Sequence, residues 1–132
     1  MATIGDPEVK TLLDKPNHAV VSTVNEDGTI HSTVAWVNVE SGRPAVNSEA
    51  SRKWPRNLAR DPRVTVLIYD ESNPYEYVEI RGTAASQTEG ADGHIDRLAK
   101  KYLGQDTYPF HQPGEQRVSF LIEPAHIRHQ KQ

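Results

Sequence analysis

The sequence predicts a small, mainly β protein, an antiparallel barrel with helices at its periphery. Three observations carry that prediction. β-branched and apolar runs outnumber helical patterns, neighbouring runs are joined by tight turns such as "NEDG" and "ESGR", and the alternation of strand and long helix that a doubly wound parallel sheet requires is missing. At 132 residues the chain is long enough for one domain with a real core and too short for two full-sized ones, so residues 1–132 are read as one unit.

The elements follow in order. In "DPEVKTLLDKP" Asp6 stands as an N-cap and Pro7 at the first helical position, Val9, Leu12 and Leu13 share a face, and Pro16 ends the helix. "HAVVSTV" (18 to 24) and "TIHSTVAWVNV" (29 to 39) read as two strands of a hairpin around the turn at 25 to 28, and "PAVNS" (44 to 48) follows as a third strand. Pro55 suits the first position of a short helix running to Arg60, where Asp61-Pro62 enforces a stop. "RVTVLIY" (63 to 69) is apolar on both alternating sets, as in a strand buried on two faces or built into a barrel wall. "YEYVEIRGTAAS" (75 to 86) alternates, with Val78, Ile80 and Ala84 opposed to Tyr77, Glu79, Arg81 and Thr83. "ADGHIDRLAKKYLG" (91 to 104) repeats its apolar residues at helical spacing and ends at Gly104. The proline-rich stretch 105 to 116 is long enough for a lid, and "RVSFLIEPAHI" (117 to 127) closes the chain as a sixth strand.

Composition narrows the function. Fifteen basic against eighteen acidic residues give a formal net charge of -3, which offers no general field for nucleic acid or an anionic membrane, so any anion site must be local. No cysteine is present, which removes disulfides and thiolate chemistry. "MATIGDPEVK" lacks the basic start and apolar run of a signal peptide, no stretch approaches the ~18 apolar residues of a membrane span, and a cytoplasmic location is expected.

The local anion site is sought in "SRKWPRNLARDPRVTV" (51 to 66). Arg52, Lys53 and Arg56 cluster at the start of the proline-initiated helix, where cations oppose the macrodipole by ~0.3 to 1 kcal/mol each. An anion held among them reverses that sign, although a solvated surface helix would show the same spacing. Arg60 and Arg63 fall at the far end, where they favour the dipole and need no ligand. Trp54 either packs beneath the helix with Leu58 or covers a ligand. In "HSTVAW" (31 to 36) small polar residues precede Trp36, which suits a backbone-rich wall against a flat ring or, more simply, a core tryptophan. Tyr75 and Tyr77 flank a strand start and His111 lies in the long loop, and each could donate a hydrogen bond or proton. His126 and His129 fall on opposite faces of a strand, and no metal site is expected. No nucleophile elbow, Walker A loop or "GxGxxG" is present.

Taken together, "AVVSTVNEDGTIHSTVAWV", "SRKWPRNLARDPRVTVLI", "YVEIRGTA", "HIDRLAKKYLG" and "PGEQRV" resemble, in order and over nearly the whole chain, the pyridoxamine 5'-phosphate oxidase-like split barrels. The similarity is greatest to the actinobacterial branch that uses the deazaflavin coenzyme F-420. The resemblance implies a six-stranded split barrel that forms a homodimer, with the cofactor in a groove at the dimer interface. It implies phosphate contacts from Arg52, Lys53, Arg56 and Asn57, ring contacts from Thr33, Val34, Ala35 and Trp36, and Asn47 and Ser48 beside them. Relatives often carry a Lys two or three places before the "RN" pair, where this chain has Trp54 and Lys53. The activity implied is hydride transfer to an electron-poor small molecule. FMN on the same barrel is the alternative cofactor, and a non-catalytic cofactor-binding protein is the alternative from another class.

Overall fold

The structure is a computed structural model that describes residues 1–132. Its helices are α1 (Pro7–Asp14), α2 (Lys53–Arg60) and α3 (Ala91–Leu103). Its strands are β1 (Ala19–Val24), β2 (Ile30–Ala35), β3 (Asn38–Glu40), β4 (Arg43–Glu49), β5 (Arg63–Asp70), β6 (Asn73–Gln87) and β7 (Arg117–Gln130). All seven form one sheet in the order β2-β1-β5-β6-β7-β4-β3, with every neighbouring pair antiparallel. No helix is long and apolar enough to cross a membrane.

The sixth strand becomes a seventh because the run 29–39 does not stay in one piece. It breaks at Trp36 and Val37, leaving β2 at one edge of the sheet and β3 at the other. Ala35 and Asn38 bracket the break, and three residue steps span about 10 Å at most. Two strands at opposite ends of a seven-stranded sheet can lie that close only if the twisted sheet curls until its edges meet. The barrel is thus joined by the chain and not by a β2–β3 ladder, and the join is a seam: the fold is a split β-barrel.

Leaving the sheet frees backbone groups at the seam, and α3 supplies their partners. The Tyr102 hydroxyl accepts from the Val37 N–H at 3.1 Å and donates to the Asn17 carbonyl. Lys101 Nζ donates to the Val37 carbonyl at 2.6 Å and to that of Leu13 at the end of α1. Val37 itself is fully buried. Two adjacent residues of α3 therefore tie α1 and the crossover together.

Inside the barrel, β1, β5, β6 and β7 present Ala19, Val21, Val66, Ile68, Val78, Ile80 and Ile122, which are entirely buried. The alternation read in β6 is observed, with Val78 and Ile80 inward and Tyr77, Glu79 and Arg81 outward. The β6–β7 register shifts between Arg81 and Gly82, and a Cβ on Gly82 would lie 2.0 Å from the Glu123 carbonyl oxygen. Only glycine fits so close an approach.

Helix α2 begins two residues earlier than the position of Pro55 suggests: Arg52 is its N-cap, Lys53 its first residue and Pro55 its third. The first four N–H groups of a helix lack intrahelical partners, so proline loses no bond at the third position either. Trp54 packs beneath α2 with Leu58 buried beside it and the Phe120 ring 5.6 Å away, centroid to centroid. On the barrel's outside α3 covers β4 and β7, whereas β2 is an edge strand whose outward Ile30 and Val34 remain 64% and 66% exposed.

Candidate functional site

A cleft of about 610 Å³ opens at the seam. Val34, Ala35 and Trp36 enter it from the β2 side, Asn47, Ser48 and Glu49 from the end of β4, Arg52 from the start of α2, and Arg117 from the start of β7. Because β2 is an edge, one row of its backbone N–H and C=O groups has no strand partner. Trp54 of α2, which packs beneath its helix and also lines the cleft, Ile95 and Leu98 of α3, and loop residues including Tyr108, Phe110 and Glu115 complete the walls.

The aromatic end is ordered around Trp36. The residue is half-buried and stands at the cleft, and the core place belongs to its neighbour Val37. Its ring stacks on Tyr102 at 5.2 Å with planes 9° apart, and Tyr108 meets it edge-on at 6.1 Å. Tyr108 also packs edge-on against Phe110 and His111.

Residues 105–116 carry no helix or strand but are pinned to α3. The Tyr108 N–H donates to Asp96 Oδ1 at 2.8 Å. His111 lies between two carboxylates, with Nδ1 2.5 Å from Glu115 and Nε2 3.5 Å from Asp96. The bond to Glu115 holds the His111 pKa above its usual value. Burial pushes the Glu115 carboxyl up, but His111 and Arg117 outweigh it and hold the pKa down.

Behind the cleft lies a buried polar chain between α3 and the sheet. His94 Nδ1 is 2.7 Å from the Ser119 hydroxyl and Nε2 is 2.8 Å from Asn38 Oδ1, so Nε2 carries the proton and Nδ1 accepts. Asn47 Nδ2 donates to the Ala91 carbonyl at 2.9 Å and lies 3.3 Å from both Ser119 Oγ and His94 Nδ1. Its Oδ1 accepts from Arg117 Nε at 3.0 Å. Burial pulls the His94 pKa down to about 4, with Glu40 opposing the shift and Arg97 and Arg117 adding to it.

The residues expected to touch a cofactor divide in space. Val34, Ala35, Trp36, Asn47, Ser48 and Arg52 line the cleft, while Thr33 is half-buried on β2 and does not. Lys53, Arg56 and Asn57 line a second, polar concavity of about 710 Å³ between α2 and the turn carrying Asn25, Glu26 and Asp27. Arg52, Lys53 and Arg56 are exposed. Asn57 is buried, donates to Thr23 Oγ1 at 3.1 Å and Asn25 Oδ1 at 2.9 Å, and accepts from Arg60 at 3.1 Å, so its amide is occupied within the fold. Tyr75 is 68% exposed on β6, Tyr77 faces outward beside Tyr69, and neither lines the cleft. His129 pairs with Glu76 at 3.0 Å, and no group of three His, Cys, Asp or Glu side chains is set to hold a metal ion.

Sequence reasoning passed over Tyr108, Phe110 and Arg117. The aromatic cluster "TYPFH" inside an otherwise polar loop was the available signal for the first two. For Arg117, the first residue of a strand, the available signal was its place in "PGEQRV", one of the stretches that carry the family resemblance.

Comparison with known proteins bears on this geometry. Among solved structures the chain is similar to an F-420 reductase, with TM-score 0.78, 24% identity, and coverage of 90% of this chain and 94% of that one. It is similar to the conserved protein Rv2991 of Mycobacterium tuberculosis, with TM-score 0.79, 22% identity and coverage of 97% and 85%. General stress protein 26 of Bacillus anthracis gives TM-score 0.68, 21% identity and coverage of 93% and 91%. Comparison with curated proteins finds no match. The family model described as pyridoxamine 5'-phosphate oxidase matches residues 6–131, from the N-cap of α1 to beyond the end of β7. With nearly the whole chain inside that match and the seamed barrel the match calls for, the protein belongs to the pyridoxamine 5'-phosphate oxidase family.

Proposed function

We propose that the chain is an oxidoreductase that binds coenzyme F-420 in the seam cleft and serves an electron-poor small molecule as substrate. The observation that carries this reading is a single cleft with a cation at a helix start on one side and stacked aromatic rings on the other. Helix α2 has no side-chain N-cap bond and no acidic residue in its first turn, so its N–H groups and Arg52 are free to meet a phosphate. Lys53 and Arg56, which line the neighbouring concavity on the same helix, suit a further anionic tail. The edge backbone of β2 and the faces of Trp36 and Tyr108 suit a flat ring with polar edges. At about 610 Å³ the cleft has the size of a small-molecule site, and its donors fit the cofactor.

When bound, the deazaflavin supplies the hydride, and the chain's own residues bind, orient and exclude water. The loop 105–116 covers the cleft from one side through Tyr108 and Phe110. His111, on the same loop, is held protonated to a higher pH than an ordinary histidine, but it does not line the cleft and its two ring nitrogens are paired with Glu115 and Asp96, so solvent is the proposed source of the proton. A homodimer is part of the reading. Val20 pairs with both Val34 and Leu67, which makes an outward apolar strip across β2, β1 and β5 whose residues are half-buried or exposed. A second copy would bury it and wall the open side of the cleft.

The test is a titration of apoprotein with F-420 and with FMN, followed by fluorescence quenching, then oxidation of the reduced cofactor by enones, quinones and nitroaromatics. Tight FMN binding with none for F-420 overturns the choice of cofactor, and binding without turnover of any acceptor makes the protein a carrier. Replacing Arg52, Lys53 and Arg56 together by Ala is expected to weaken binding by about tenfold or more with the fold intact, since all three are exposed.

A further inference from the structure

Arg117 is held in place but not used up. Its side chain is 8% exposed. Nε donates to Asn47 Oδ1 at 3.0 Å, and Nη1 reaches Glu115 Oε2 only at 3.5 Å. The guanidinium carbon stands 5.1 Å from the centroid of the Tyr108 ring. Nη2 has no protein partner, yet no buried side-chain nitrogen or oxygen in the protein lacks one. Nη2 is therefore not sealed in the interior, and the opening that Arg117 lines is the cleft.

The orientation is set from behind. Asn47 is locked by the Ala91 carbonyl, Ser119 and His94, which leaves its Oδ1 aimed at Arg117 Nε. The Arg117 side chain is more than nine-tenths buried and paired with Asn47 and Glu115, yet the guanidinium has five N–H donors, and those left over are free for an acceptor in the cleft that Arg117 lines. The other walls define the acceptor. Trp36 and Tyr108 line the same cleft, the Arg117 guanidinium lies over the Tyr108 ring, and Arg117 pairs in register with Glu49, three positions before Arg52.

We infer that Arg117 is a ligand-binding residue that donates to an oxygen acceptor on the edge of a flat ring held against the wall that Trp36 and Tyr108 form, while Arg52 meets the phosphate. This rests on the cofactor reading above and divides its cleft into a ring end read by one arginine and a phosphate end read by another. A lysine could supply the charge but not the planar fork, so the position asks for arginine.

Four ligands separate the two ends: F-420, its chromophore without the phosphate tail, FMN, and riboflavin. Each is titrated by fluorescence into the wild type, Arg117→Met, Arg117→Lys and Arg52→Ala, with melting followed by circular dichroism. Loss of a charge-assisted hydrogen bond predicts about 10- to 100-fold weaker binding of all the ring compounds by Arg117→Met, the phosphate-free ones included. Arg52→Ala is expected to weaken only the phosphate-bearing ligands. Arg117→Lys keeps a charge beside Glu115 and serves if the methionine variant does not fold, and ring affinity unchanged in that variant overturns the inference. Ring affinities unchanged in Arg117→Met, with only the melting temperature lowered, make Arg117 a staple for the loop and overturn the inference alone. If the wild type binds none of the four, the cofactor reading falls and this inference falls with it.

Discussion

Acidification should unfasten the polar chain behind the cleft through one residue. His94 is 2% exposed, gives its Nε2 proton to Asn38 and accepts from Ser119 at Nδ1. The neutral ring satisfies both neighbours, and a second ring proton would face a hydroxyl that already receives an N–H from Asn47. Burial is the main cause that brings its pKa from 6.5 to about 4. In the unfolded chain the imidazole takes a proton below about pH 6.5, whereas in the folded chain it does not until about pH 4. Between those values the unfolded state holds more protons, so stability falls as pH falls. A tenfold difference in proton affinity between the two states corresponds to about 1.4 kcal/mol, which makes the full loss about 3 kcal/mol, and above pH 6.5 the contribution is complete. The carboxyls act lower, since Glu40 is depressed from 4.5 and Asp61 from 3.8 to about 2. His111 is raised, so its contribution is complete below pH 6.5 and fades only as pH rises above that. Urea unfolding at about pH 7, 5.5 and 4.5, followed by far-UV circular dichroism, compares the wild type with His94→Gln. The variant should be less stable at pH 7 and nearly flat down to pH 4.5. Parallel curves for the two proteins would refute the reasoning.

Two further substitutions test the seam and the bulge. Tyr102→Phe leaves the Val37 N–H and the Asn17 carbonyl without their partner and should cost about 1 to 3 kcal/mol in denaturant unfolding. The same variant should weaken cofactor binding, because the surface on which Trp36 stacks loses its anchor. Gly82→Ala sets a Cβ 2.0 Å from one backbone atom and 2.9 Å from the next, so the β6–β7 bulge must move. A loss of more than about 3 kcal/mol is expected in thermal or urea unfolding, and a near-neutral effect would show that the bulge is soft.

What the sequence made legible was local. The alternation in β6, the helical spacing of Ile95, Leu98 and Ala99, and the cations near the start of α2 follow from period and residue type, although α2 begins two residues before the start that Pro55 suggested. The break at Trp36 and Val37 was hidden because strand propensity continues across it. What splits β2 from β3 is the grip of Lys101 and Tyr102, more than sixty residues away. Asn57 has contacts that its neighbours in sequence do not announce. An asparagine beside Arg56 near a helix start suits a phosphate, yet its amide is taken by Thr23 and Asn25 of the first hairpin. The chain His94, Ser119, Asn47 and Arg117 draws on α3, β7 and β4, so no window of sequence contains it.

The seam explains why these hidden features gather in one place. A barrel closed by hydrogen bonds all round would leave no free edge for a ligand and no need for a crossover held by side chains. Here β2 and β3 lie at opposite ends of the sheet's strand order, and the two residues between them carry the chain across. That crossover sets Trp36 at the mouth of the gap and Val37 in the core in a single step. The freed backbone calls for Tyr102, and Tyr102 in turn gives Trp36 a surface to stack on. The covalent closure of the fold and the aromatic wall of the cleft are therefore one structural event. Variants that loosen the crossover should lose stability and ring binding together, whereas Arg52→Ala, exposed on the far side of the cleft, should lose phosphate binding with stability unchanged.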